Sequence, residues 1–255
     1  MKHWFSSSFL DEERLYTDFY FFVHLVTFLR GNGGIVLVNN DDDFAKLAQA
    51  LVDKTITKKE LLNRVNQDSS LIPLMLTGVG HSKATVRYGC SKILVELSEK
   101  NPEKLYPHFD LFIGLLDSKY RILKWNALAI IANLTNVDAE KKFDAIFNKY
   151  YSFLNAEYMV TVANVIGNSS TVGLAKPYLI PKITNELLKV QNISIGPHLT
   201  EECKRVIAQA TIKTFGLFFD RIDQKEQVLA FVRNCLYSPR KKLRTTAKAF
   251  LYKWE

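Results

Sequence analysis

Cysteine is scarce in this chain: three residues in 255, Cys90, Cys203 and Cys235, none of them in a C-x-x-C pair. An odd number of cysteines set inside apolar helical patterns points to a reducing compartment and to simple core packing rather than a disulfide framework. In such a compartment the N-x-S/T sequences at Asn133, Asn168 and Asn192 carry no meaning, and the first lies within a helical pattern. Glycine (11) and proline (7) are few as well, a balance that favours helix. No apolar run is long enough to span a bilayer. The most apolar stretch, Leu15–Leu29, is about fifteen residues and contains Asp18 and His24, where about twenty apolar residues are needed. Catalytic patterns are missing too. The five histidines, His3, His24, His81, His108 and His198, share no ligand spacing. Gly31–Gly34 and Gly78–Lys83 both lack the Lys-Ser/Thr pair of a phosphate loop, and no serine sits in G-x-S-x-G. These absences imply neither cofactor nor metal, and a chain that is not an enzyme.

What is present is apolar content of 47%, enough for a continuous core, and a net charge of +8 that is unevenly spread. Residues 1–60 hold 7 Lys/Arg against 9 Asp/Glu, whereas residues 61–255 hold 27 against 17, a net of +10. The segment 239–255 concentrates Arg240, Lys241, Lys242, Arg244, Lys248 and Lys253 against Glu255. A basic surface of this extent suits acidic partners, or it is a solvated terminal helix that keeps the protein soluble.

Residues 1–40 differ from the rest. Asp11, Glu12 and Glu13 precede the aromatic stretch where a secretory signal would carry basic residues, so a signal peptide is not expected. The stretch reads as a capping helix, broken by Gly31–Gly34, after which Ile35–Val38 is a short apolar run. This extension is expected to be dispensable for the fold.

From Asp41 the pattern is of paired helices. Three segments repeat one another. Val86, Cys90, Ile93, Leu94 and Leu97 follow i, i+4, i+7, i+8, i+11; so do Leu123, Ala127, Ile130, Ile131 and Leu134, and Leu243, Ala247, Phe250, Leu251 and Trp254. That is one face of an α-helix. A basic residue follows the first apolar one each time: Arg87, Lys124, Arg244. Measured at Val86, Leu123, Met159, Lys204 and Leu243 the spacings are 37, 36, 45 and 39 residues, with a loop at 191–199 accounting for the longest. Thr57 to Glu60 reads as a capping box, Asn101-Pro102 as a helix start running on through Phe109 and Leu116, and Asp138 and Thr200 as further caps. Self-similarity near forty residues predicts a helical solenoid.

The spacing, the helix-turn-helix unit and the second-helix pattern at Val86-Arg87, Leu123-Lys124 and Leu243-Arg244 resemble HEAT repeats of the armadillo-type class over residues 41–255. The resemblance implies an all-α, right-handed superhelical solenoid of about six antiparallel helix pairs, with second helices lining a concave face where ligands bind. The repeat at Met159 departs from it, with Val160 in place of the basic residue.

Arg87, Lys124, Arg205 and Arg244 would then form a basic column, with Tyr88 and Trp125 beside it. Two readings stand: such arginines bond the inter-helix turn of a neighbouring repeat, where Asp117 is available, or they line a basic groove together with Arg240, Lys241 and Lys242. Trp125 is correspondingly a seam residue or a stacking platform. The expected function is a non-catalytic cytoplasmic scaffold for an acidic protein or peptide, away from membranes. The alternative is nucleic-acid binding through backbone contacts. Some HEAT-like proteins are alkylpurine DNA glycosylases, and Tyr88 and Trp125 offer aromatics for an extruded base, but no Asp stands out as the catalytic acid.

Overall fold

A computed structural model describes residues 40–255, so the aromatic segment and the expected cap at 1–40 lie outside the described residues but for Asn40. The chain divides into two compact units at residues 93/94. In the first, α1 (Asn40–Val52), α2 (Lys58–Gln67), α3 (Ile72–Gly78) and the start of α4 (Ala84–Lys100) enclose Leu51, Leu61, Val65, Met75, Val86 and Cys90. The capping box is formed as expected. Thr57 Oγ1 accepts from Glu60 N at 3.2 Å, and Glu60 Oε2 accepts from Thr57 N at 3.3 Å.

The second unit holds the rest of α4 and then α5 (Pro102–Leu105), α6 (Phe109–Leu115), α7 (Arg121–Leu134), α8 (Lys142–Ser152), α9 (Met159–Ala175), α10 (Ile180–Leu188), α11 (Glu201–Phe215), α12 (Lys225–Asn234) and α13 (Lys241–Trp254). Among the described residues there is no strand, only an isolated bridge between Gly196 and Leu199 inside the expected 191–199 loop. The helix expected to run unbroken from Pro102 is split. A 3-10 turn at Tyr106–His108 separates α5 from α6, because Pro107 has no N–H to donate to the preceding turn.

The second helices α7, α9, α11 and α13 stack in series. Side chains stitch them: Trp125 Nε1 donates to Thr161 Oγ1 at 2.9 Å, and Thr214 Oγ1 donates to the carbonyl of Ile166 at 3.1 Å. The first helix α8 pins onto the stack through two buried tyrosines, Tyr150 donating to Leu128 O at 3.0 Å and Tyr151 to Ser169 Oγ at 3.1 Å.

The helix bounds correct the repeat register. The third residue of each second helix is Val86, Leu123, Thr161, Cys203 and Leu243, giving spacings of 37, 38, 42 and 40. Met159 and Lys204 are therefore not the equivalent positions. Several core slots in α9 and α11 hold Thr161, Ser169, Thr211 and Thr214 in place of aliphatic residues, all buried. Two of the hydroxyls are satisfied within their own helix, Ser169 by Val165 O at 2.7 Å and Thr211 by Ile207 O at 3.0 Å, and those of Thr161 and Thr214 by the neighbouring helix. A hydropathy pattern reads these slots as polar and slips.

Candidate functional site

The corrected register sorts the basic column. The residue after the first core position is Arg87, Lys124, Val162, Lys204 and Arg244. Arg205 lies one place further on, equivalent to Trp125, and ion-pairs with Glu202 at 3.2 Å within its own helix. Arg87 is buried, and its Nη1 donates to the carbonyls of His81 and Ser82 at 2.7 and 2.9 Å. Arg244 repeats the arrangement, with Nη1 donating to Ser238 O and Pro239 O at 2.7 and 2.9 Å. Both guanidinium groups thus close the turn that leads into their own helix, not the turn of a neighbouring repeat. Asp117 is taken by Lys149 at 2.7 Å. Tyr88 lies under the Arg87 guanidinium at 5.0 Å, and Lys124 is half-buried on α7. Trp125 is half-buried, and its indole N–H is spent on Thr161 across the α7–α9 seam. Arg240 is held by Glu202 Oε1 and by Gln209 Oε1. Lys241 and Lys242 are exposed.

A second polar cluster escaped the sequence reading. Asp138, whose side chain is fully buried, accepts at Oδ1 from Tyr106 Oη (2.7 Å) and Lys142 N (2.8 Å), and at Oδ2 from Phe143 N (3.0 Å). Lys176 Nζ lies 3.0 Å from the same Oδ2 and 3.3 Å from Asp144 Oδ2, and also donates to Asp138 O and Tyr178 Oη. Burial alone would raise the Asp138 carboxyl; the bonds from Tyr106, Phe143, Lys176 and Lys142 outweigh it and hold it below its ordinary value. Burial likewise opposes the Lys176 charge, but Asp138 and Tyr178 reverse the sign and raise it. Burial, reinforced by Asp138, pushes the Tyr106 hydroxyl up to about 12. Both Asp138 oxygens are saturated by protein donors, so the cluster joins repeats and has no lone pair to offer a substrate. Asp138 was legible as a cap for Phe143; its partners, 32 and 38 residues away, were not.

The open face of the stack follows from the same register. At the second helical position stand Ile122, Val160, Glu202 and Lys242, and four residues on stand Asn126, Asn164, Val206 and Thr246. Seven and eleven on come Ala129, Gly167, Gln209 and Ala249, then Asn133, Thr171, Lys213 and Lys253. Every one of these is exposed or half-exposed. Small side chains and amides fill the middle of the face, with lysines toward α11 and α13. The second unit as a whole, residues 94–255, carries 23 Lys/Arg against 16 Asp/Glu.

Among the described residues no group of three His, Cys, Asp or Glu is placed to hold a metal ion, and no helix is long and apolar enough to cross a membrane.

No protein-family model matches the sequence, and no curated protein matches it. Solved structures do. A designed armadillo repeat protein superposes with a TM-score of 0.53 at 16% identity, over 83% of this chain and 92% of its own. A second designed armadillo repeat protein, in complex with the peptide (KR)4, gives a TM-score of 0.50 at 13% identity, over 84% of this chain and 92% of its own. At such identities the likeness is one of fold: the chain is an all-α solenoid of the armadillo type.

Proposed function

We propose that the chain is a non-catalytic cytoplasmic scaffold that binds an extended acidic segment of a partner protein along the open face of α7, α9, α11 and α13. The observation that carries the reading is the row structure of that face. Equivalent positions on four stacked helices stay out of the core and present small residues and amides, a surface that lets a peptide backbone approach and bond. The Lys213 and Lys253 row sets the charge preference. The structural neighbour that holds a peptide holds a basic one, and this chain's positive balance argues for the opposite sign.

Fluorescence anisotropy with a labelled ten-residue Asp/Glu peptide tests it. The full chain is expected to bind at low salt, and Lys213→Glu with Lys253→Glu to weaken binding at least tenfold. Lys182→Glu, on the first helix α10, is expected to change nothing. Absence of binding at 50 mM salt, or preference for a Lys/Arg peptide, sinks the proposal.

A further inference from the structure

The end of the helix stack carries a stripe that no described helix covers. In α7 the stripe runs through Trp125, Leu128 and Ala132; in α9 its equivalents are Ala163, Ile166 and Ser170. There it is the seam. Leu128, Ala132, Ile166 and Ser170 are buried, and α11 bonds to the Ile166 carbonyl. The same positions in α13 are Thr245, Lys248 and Tyr252, with Lys241 one turn ahead of them, and all four residues are exposed, Tyr252 at 95%. The residue types have changed with the exposure: where α7 and α9 offer mostly apolar surface to a following helix, α13 offers the Lys248 ammonium and a phenol ring, with the Lys241 ammonium one turn ahead. The helix holds Lys241, Lys242, Arg244, Lys248 and Lys253 and no acid. A second bare ring, Tyr237 at 88% exposure, stands just ahead of it.

We propose that this stripe binds single-stranded nucleic acid, with Lys241 and Lys248 on phosphates and the Tyr252 ring stacked on a base. The two lysines lie about 10 Å apart along the helix axis, and the ring projects about one turn beyond the second. Cations along a strand path with a solvent-facing aromatic beside them are the combination that holds single strands without reading sequence. An acidic peptide would satisfy the lysines and leave the ring without a planar partner. A bilayer surface would want an apolar wedge, and Thr245 and Lys248 occupy that place. The stripe is distinct from the open face, to which α13 contributes Lys242, Thr246, Ala249 and Lys253, so either proposal can fail alone.

The test is anisotropy of a labelled fifteen-residue oligo(dT) with the full chain from 50 to 200 mM salt. Binding is expected to fall steeply with salt. Lys241→Glu with Lys248→Glu should weaken it more than tenfold and flatten the slope of log K against log salt by about 1.4, the value for two phosphate contacts on a single strand. Tyr252→Ala should weaken binding about tenfold while leaving the slope unchanged. All three side chains are exposed, so unchanged thermal melting confirms that the variants are folded. The proposal is overturned by no binding at 50 mM salt, by binding indifferent to these variants, or by a poly-Glu peptide that binds through the same residues while the oligonucleotide does not.

Discussion

Asp138 and Lys176, one repeat apart in sequence, form an ion pair at 3.0 Å with side-chain exposures of 0% and 5%. Removing one member leaves a charge with less to compensate it in a dry site. Lys176→Met is therefore expected to cost about 3–5 kcal/mol in urea unfolding, and Asp138→Asn somewhat less, since Lys176 keeps Asp144. The Asp138 carboxyl is held below its ordinary value, so its contribution is present above the unfolded carboxylate value near 3.9 and is lost as pH falls through the depressed folded value. Lys176 is raised, so its contribution is complete below about 10.4 and disappears only as pH rises through its folded value. Stability of the parent should fall off below about pH 4, and Asp138→Asn should show a shallower acid limb. A loss under 1 kcal/mol for Lys176→Met would mean that the pair is hydrated in solution.

The repeat itself was legible because helix periodicity and aliphatic side chains coincide at Val86, Leu123 and Leu243, and because Thr57, Asp138 and Thr200 supply cap oxygens where helices begin. The register failed where the core is built from Thr161, Ser169, Thr211 and Thr214, since a hydroxyl that bonds to its own helix or to the next one behaves as core but scores as surface. The basic column was visible as a recurrence; its role was not, because which carbonyl a guanidinium reaches depends on turn geometry. The clamps on Ser82 and Pro239 are five residues back from Arg87 and Arg244 and have no hydropathy signature.

Gly78 sits on Cys90 with no room for a methyl group. A Cβ built at Gly78 would overlap Cys90 Sγ and stand 3.0 Å from Cys90 Cβ. Gly78→Ala should cost roughly 1–3 kcal/mol by overpacking. Cys90→Ala in the same chain should recover part of that loss, giving a coupling energy above 0.5 kcal/mol in a double-mutant cycle. Strict additivity would show that α3 and α4 can separate freely.

Ala127 fills the slot in α7 equivalent to Cys90 in α4, and both are fully buried. Ala127→Leu is expected to cost roughly 1–3 kcal/mol for the same reason. Chemical denaturation reads it directly, and an unchanged midpoint would contradict the shared slot.

The three thiols should differ in reactivity. Burial pushes Cys90 up to about 12 and Cys235 up to about 11, whereas Cys203 is half-exposed at the start of α11. Titration with a thiol reagent at pH 8 should consume one thiol quickly in the native protein and three after unfolding. Rapid loss of three in the native state would mean that the helices open readily.

Arg87 and Arg244 separate clamp from contact. Each guanidinium donates to two carbonyls of its own turn, half-buried at His81 and Ser238 and exposed at Ser82 and Pro239, so alanine at either position strips a charged donor from both. The expected cost is about 2 kcal/mol each, read as a fall in the urea midpoint. Because Arg244 Nη1 is spent on Ser238 and Pro239, Arg244→Ala should leave the salt slope of oligonucleotide binding near its parent value wherever the variant is folded. Lys241→Glu with Lys248→Glu should do the reverse, leaving the urea midpoint and changing the slope. If Arg244→Ala flattens the slope without loss of stability, the turn carbonyls are dispensable partners and the guanidinium belongs to the binding surface.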